Sequence, residues 1–341
     1  MRKPPGEVNL GAFHNGHYAK GDVASMTNGI TTFSQRQAPW CGIGVKGEWD
    51  DYRDALAASQ LDFGVSQEQL YWEREMGAGI TMNEPAPMFA NVRNTDQKAL
   101  GYVSRQYGVV QNRDAFALLE PFTKAGGIIT NAGMTEQGLC FMVLRMRKAE
   151  FLGDEYDFDV MCCNSFNTMF PLSLVMVPTR IVCQNMYRRL MGNKDGLLTL
   201  RHCSNADNRL KMANAAVGAI GSYVSAFGLS LERAQHKRLL QSETVNLVEL
   251  LFPYPKPGGT REQTSRERVD VMRGEFMERY YDAPDNRKFH GTGMGFLNAY
   301  YDFLSHRDPG KNMPGSWEDR RLSGLMSGTM VKDNLIRKAM A

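Results

Sequence analysis

The side chains best suited to chemistry in this sequence gather between residues 180 and 211. Arg180, Gln184, Asn185, Tyr187, Arg188, Arg189, Arg201 and His202 fall in that stretch. Arginine offers a planar fork that matches phosphate, asparagine and glutamine carry both donor and acceptor, and tyrosine can stack on a base. Seven basic residues (Arg180, Arg188, Arg189, Lys194, Arg201, Arg209, Lys211) stand against two acids (Asp195, Asp207), giving 7 − 2 = +5. The whole chain carries +3, so the remainder sums to −2. A local excess of this kind points to an anionic partner. The plainer reading is a solvated basic surface, with Gln184 and Asn185 pairing buried backbone. Arg145 and Arg147 extend the basic set: strand alternation puts them with Phe141 and Val143 on one face of a strand. Arg105 joins them from a neighbouring turn.

Other chemistries have weaker signals. A Cys183–His202 nucleophile pair needs an activated thiolate, and Cys183 follows Ile181-Val182, a buried setting that opposes ionisation. Cys162, Cys183, His202 and Cys203 match no compact zinc spacing. Asp154, Glu155, Asp157 and Asp159 are dense enough to suggest a Mg²⁺ nuclease, but they read first as a solvated acidic loop. Gly291-Thr292-Gly293-Met294-Gly295 lacks the preceding strand that a phosphate-binding glycine loop requires. No metal or cofactor is expected.

The elements that must position these groups follow from periodicity. Residues 1–37 carry Gly, Asn, Ser and Thr with few large apolar side chains and read as a flexible arm. Tyr52 to Leu61 reads as a short helix. Met88–Val92, Leu100–Val103 and Tyr107–Val110 read as a β-meander. Asn112 is placed to cap a helix over Arg113 to Thr123, with Ala115, Phe116, Leu119 and Phe122 on its apolar face and Gly126-Gly127 ending it. Strands follow at 127–130 and 139–146. Beyond about residue 205 the period turns helical: Leu210, Ala213, Val217, Ile220, Val224 and Phe227 form a seam that Gly228 is expected to stop. A second helix is expected from Leu231 to Leu251. Thr264 to Glu267 has capping-box spacing before a third, and Phe296–Leu304 and Leu322–Met340 read as further helices. Strands precede helices, which predicts an α+β fold. A mixed or antiparallel sheet fills the N-terminal half and a helical C-terminal half packs on it. The expected divisions are the arm at 1–37, a β-rich core at 38–205 and a helical portion at 206–341, forming one domain with the core.

Composition excludes some classes. Apolar residues make up 43%, enough for a buried core, and charged residues 23%, close to the globular average. No run approaches roughly 18 consecutive apolar residues, and no apolar stretch follows the basic start, so neither a membrane partner nor a signal peptide is expected. That predicts a cytoplasmic setting, in which the six cysteines pack as small hydrophobes.

Ordered segments carry a resemblance. Ala38-Pro39-Trp40-Cys41-Gly42-Ile43-Gly44 is followed by Ala55 to Phe63, by Gly101-Tyr102-Val103-Ser104-Arg105-Gln106-Tyr107-Gly108-Val109-Val110-Gln111-Asn112-Arg113-Asp114-Ala115-Phe116, and by Thr179-Arg180-Ile181-Val182-Cys183-Gln184-Asn185 with Leu200-Arg201-His202. Gly293 to His306 and the closing helix from Asp319 complete the set. From about residue 37 onward the chain resembles the phage/plasmid-like protein family, a domain family of unknown function. One segment departs: where that family has an Asn-Ser-His-Asp-Gly-type stretch, this chain has Asn164-Ser165-Phe166-Asn167-Thr168. The resemblance implies a mobile-element setting and no particular chemistry.

These observations lead to one expectation with two rivals. The first is a phage- or plasmid-encoded protein that binds nucleic acid, single-stranded DNA above all, with little regard to sequence, in replication or recombination. Its candidate contacts are Arg105, Arg145, Arg147, Arg180, Asn185, Tyr187, Arg188, Arg189, Arg201 and His202, with no catalytic residue assigned, and a second copy of the chain is a further partner to consider. The rivals are a structural or interaction factor, such as an inhibitor of a host system, and a metal-dependent hydrolase.

Overall fold

The computed structural model describes residues 37–76, 81–187, 196–200, 206–258, 262–307 and 315–327. The fold is α+β, with antiparallel sheets in the N-terminal half and helices in the C-terminal half. The main sheet holds β1 (Val45–Trp49), β5 (Ile128–Met134), β6 (Cys140–Phe151), β7 (Asp154–Asn164), β8 (Leu172–Arg180) and β10 (Gly196–Leu200) in the order β1-β5-β6-β7-β8-β10, with the two-residue β9 (Asn185–Met186) also paired to β8. A smaller sheet joins β2 (Val65–Glu75), β3 (Thr81–Arg93) and β4 (Ala99–Ser104) in that order. The expected third strand of the meander, 107–110, is irregular backbone.

The central strands read as apolar runs because both of their faces are covered. All nine residues of β8 are buried, as is β7 from Phe158 onward. Such strands lose the apolar/polar alternation of a half-solvated sheet. On one face lie the short helices α1 (Tyr52–Ala58), α2 (Asn112–Phe116) and α3 (Glu120–Lys124) and the long α4 (Ala206–His236). Cys162 donates to the Ala115 carbonyl of α2, and Phe158 meets Phe227 of α4 edge-on at 5.3 Å between centroids. The helices α5 (Gln241–Leu251), α6 (Glu262–Tyr281), α7 (Gly293–His306) and α8 (Trp317–Ser327) complete the chain as described.

Two boundary expectations are corrected. Asn112 does not cap α2; Gln111 occupies that position, and Asn112 is buried, donating to the Leu61 carbonyl and accepting from Asn164. Gly228 does not stop the helix, which continues to His236. Gly228 lies where a Cβ would come within 2.2 Å of the Phe151 ring, so glycine serves close packing of helix on strand at this point. Likewise Gly295 sits against the Phe289 carbonyl, and Thr292 caps α7 by accepting from Gly295 N, which accounts for the Gly-Thr-Gly-Met-Gly run structurally. The stretch Leu210–His236 is long and apolar enough by composition to cross a membrane, but its seam residues Ala213, Ile220, Phe227 and Leu231 are buried in the core, as in a helix packed on a sheet.

Candidate nucleic-acid interface

Among the described residues, the basic groups expected to converge do not do so. Arg180 has no exposed side chain: its guanidinium forms ion pairs with Asp154 at 2.8 Å and Asp285 at 2.5 Å and bonds the Asp285 carbonyl. Lys288 also reaches Asp154 at 2.8 Å. A fully buried arginine must be paired in this way, because desolvation of an uncompensated charge costs several kcal/mol. Tyr187 is equally buried, donating to Asn298 and packing on Tyr301 at 4.7 Å. Asn185 donates to the Asn298 carbonyl and meets His306 at 3.0 Å. These three hold the helical layer against the end of β8, and the ligand-contacting role expected of them is withdrawn. Arg188, Arg189, Arg201 and His202 lie outside the described residues. Cys183 is buried, its thiol pushed up to about 12 by burial, so it packs as an inert side chain.

The bulge in β6 separates Arg145 from Arg147. Arg145 pairs with Asp159 of β7, whereas Arg147 pairs with Phe158, the next residue along, because the register shifts between them. Neighbouring residues of a strand face opposite ways and cross-strand partners face the same way. Arg147 therefore shares the face of Phe158 and the helices, and Arg145 looks out from the other side. An inserted residue reverses the face of everything beyond it. Arg105, in the turn after β4, belongs to the smaller sheet.

The face carrying Arg145 collects an unforeseen set of side chains. Following the register from β1, Lys46 pairs with Asn131, Asn131 with Val143, and Val143 lies two residues before Arg145. Arg145 pairs with Asp159; Asp157, two residues before it, pairs with both Lys148 and Thr179. Lys46, Asn131, Arg145, Lys148, Asp157, Asp159 and Thr179 thus share one face. Lys46, Arg145 and Lys148 are exposed, and beneath them Asn131, Asp159 and Thr179 are buried. Asn131 Nδ2, Asp159 Oδ1 and Thr179 Oγ1 have no hydrogen-bond partner. Asp157 Oδ1 on the same face also lacks a hydrogen bond, with Lys148 Nζ 3.9 Å away. Buried polar atoms are nearly always paired, so four such atoms on one face call for an explanation. Asp159 is the acid expected in a solvated loop; it lies in a strand instead, and burial, with help from Asp157, raises its carboxyl to about 8. It is therefore mainly protonated at neutral pH and presents a donor. Glu150 and its cross-strand partner Glu155 lie two residues from Lys148 and Asp157 and so share this face. Counting Lys46, Arg145 and Lys148 against Glu150, Glu155 and Asp157 gives 3 − 3 = 0, with the cations Lys46 and Arg145 set away from the acidic end. Cys41, its thiol raised by burial, senses the charges of Lys46, Asp159 and Arg321 at the border of this face.

Elsewhere, a cleft of about 290 Å³ lies between the smaller sheet and the β5–β6 turn, lined by Arg93, Lys98, Gln137 and Asn167 among others. Arg93 is committed there, forking onto Asp96 at 2.8 and 2.6 Å. The divergent stretch borders the cleft: Asn167 donates to the Gln137 carbonyl, and Asn91 to the Phe166 carbonyl. Thr168, in the place of the glycine of the resembling pattern, adopts φ 66°, a left-handed conformation strained for a β-branched residue. Among the described residues no group of three or more His, Cys, Asp and Glu is placed to hold a metal ion.

The model of a domain of unknown function (DUF932) matches residues 99–333. The chain belongs to the DUF932 family. Comparison with curated proteins and with solved structures gave no match. The DUF932 match takes in Asn131, Arg145, Lys148, Asp157, Asp159 and Thr179; Lys46, β2 and β3 precede it. Sequence reasoning reached Arg145 through strand alternation. It missed Lys46, Asn131 and Lys148, because membership of this face depends on pairings that local periodicity does not encode.

Proposed function

We propose that this DUF932 protein binds nucleic acid through the face of the main sheet that carries Lys46, Arg145 and Lys148, with single-stranded DNA preferred and sequence nearly ignored, in the replication or recombination of a phage or plasmid. The observation that carries the proposal is the placing of three exposed cations over buried donors that have no partner, Asn131 Nδ2 and the protonated Asp159. Cations supply the long-range attraction to phosphate, and unpaired donors favour a ligand rich in acceptor oxygens. The basic segment 188–211 adds attraction: without Arg180 it holds six basic residues and two acids, 6 − 2 = +4.

Each phosphate neutralised on a single strand contributes about −0.7 to the slope of log affinity against log salt. Fluorescence anisotropy of a labelled oligonucleotide over a salt series should give a linear decline. Substituting Lys46, Arg145 and Lys148 together by alanine should flatten the slope by about 2. Absence of binding to single-stranded DNA or RNA at low salt by folded protein would overturn the proposal. The reading as an interaction factor has its own support in the exposed apolar side chains of β2 and β3, among them Tyr71, Trp72 and Met82.

A further inference from the structure

The smaller sheet ends in an open edge. β2 is an eleven-residue edge strand, and among the described residues no strand pairs with its side away from β3. Near its start that side is already met by a strand mimic: the Gln111 side-chain amide donates to the Val65 carbonyl at 2.8 Å and accepts from Val65 N at 3.0 Å. On the other side Asn94 N donates to the Gly64 carbonyl. Backbone groups alternate in direction along a strand. Gln67, Gln69, Tyr71, Glu73 and Glu75 therefore point their N–H and C=O groups outward, as Val65 does. The irregularity between Gln69 and Tyr71 leaves this parity intact, because the extra residues lie in β3, which moves from Phe89 to Pro85 across it.

The two edges of this ribbon are treated differently. β4 covers β3 only from Met88 to Val92, and the uncovered part of β3 carries Pro85 and Pro87, which have no N–H to offer. β2 contains no proline, and Tyr71 and Trp72 on it are 62% and 58% exposed. Open edges of this length are usually blunted or used.

We propose that β2 pairs antiparallel with β2 of a second copy of this chain, about a two-fold axis through Tyr71. Charge and parity select that axis. Outward-pointing residues must face one another, so the axis passes through a residue position. At Tyr71 it sets Glu68 opposite Arg74 of the partner subunit, Leu70 opposite Trp72 of the partner subunit, and the reciprocal pairs on the other side. One face of the joined strands then has an apolar centre closed at each end by an opposite-charge pair. Axes at Gln69, Leu70 or Trp72 create no opposite-charge pair, and axes at Glu73 or Arg74 set like charges face to face, which is destabilising. The two small sheets merge into one of six strands, and the interface is isologous, closing after two copies. Arg74 also pairs with Glu84 of its own chain at 3.1 Å, but that pair is exposed and worth little.

The test uses the full chain in sedimentation velocity. Wild type should sediment with twice the mass of one chain. E68R or R74E alone should raise the dimer dissociation constant about tenfold, the energy of a few cross-strand pairs, and E68R combined with R74E should restore it. Facing residues on the axis sit about 5.5 Å apart at Cα, within disulfide reach. Mild oxidation should therefore link Y71C, and not Q69C, into a covalent dimer above the wild-type background. A wild type of single-chain mass, a charge swap that fails to recover association, or cross-linking of Q69C in place of Y71C would overturn the proposal. Nucleic-acid binding plays no part in these readouts, so either proposal can fail alone.

Discussion

Replacing Asp159 by asparagine probes the buried face through its pH dependence. The carboxyl of Asp159 is raised from 3.8 to about 8, first by burial and second by Asp157. A carboxyl raised on folding binds its proton more tightly in the folded state. Its contribution to stability is thus fully present below about pH 4 and is lost as the pH rises towards 8. The loss is at most about 1.4 kcal/mol per pH unit, or roughly 6 kcal/mol over the window, a ceiling that water penetration will lower. Asparagine matches the protonated acid in size and cannot ionise. Urea unfolding of wild type and Asp159→Asn at half-unit steps from pH 5 to 8 isolates the term, because other titrating groups cancel in the difference. Wild type should lose stability relative to the variant by up to about 1.4 kcal/mol per unit, with the gap widening as the pH rises. Parallel curves would refute the reasoning, since they would mean that Asp159 ionises in the fold as readily as in the unfolded chain. Ionisation would also add a negative charge beside Arg145, so binding of an anionic ligand should weaken above about pH 8.

Two other predictions concern stability. Arg180→Met should destabilise by about 3–5 kcal/mol in chemical unfolding, because Asp154 and Asp285 lose the charge that compensates them; a variant as stable as wild type would contradict the buried ion pairs. Thr168→Gly should stabilise by about 1 kcal/mol, since glycine adopts φ 66° without the strain that threonine carries, and a loss of stability would show that the threonine side chain itself is needed.

Fold class was legible because strands rich in Ile, Val and Cys precede helices with a clear three-four seam. The seam from Ala213 to Phe227 was read correctly and its end was not. Gly228 looks like a stop in sequence, but the ring that makes glycine necessary there belongs to Phe151, 77 positions earlier. Arg180, Asn185 and Tyr187 look like ligand contacts for a related reason. Polar side chains with rich hydrogen-bonding capacity serve equally well inside a protein, and Asp285 and Asn298, which engage them, come more than 100 residues later. Arg145 and Arg147 have the spacing of one strand face, and a single bulge parts them. Nothing in the local pattern of Met142 to Lys148 marks the shift, because the residues on both faces there are mixed in polarity. Asp159 was visible as an acid and not as a buried one, since its cover is built from pairings across three strands.

The most direct test compares Arg145 with Arg147. The two are separated by one residue in sequence, are both exposed, and carry the same charge, so any effect of net charge or composition is common to both. Alanine is placed at each in turn, and binding of labelled single-stranded DNA is followed across a salt series. Arg145→Ala should weaken binding and flatten the log–log salt slope by about 0.7, while Arg147→Ala, on the helix-bearing face, should leave both close to wild type. Equal effects of the two substitutions, or a loss confined to Arg147→Ala, would contradict the assignment of binding to the face that carries Lys46, Arg145 and Lys148.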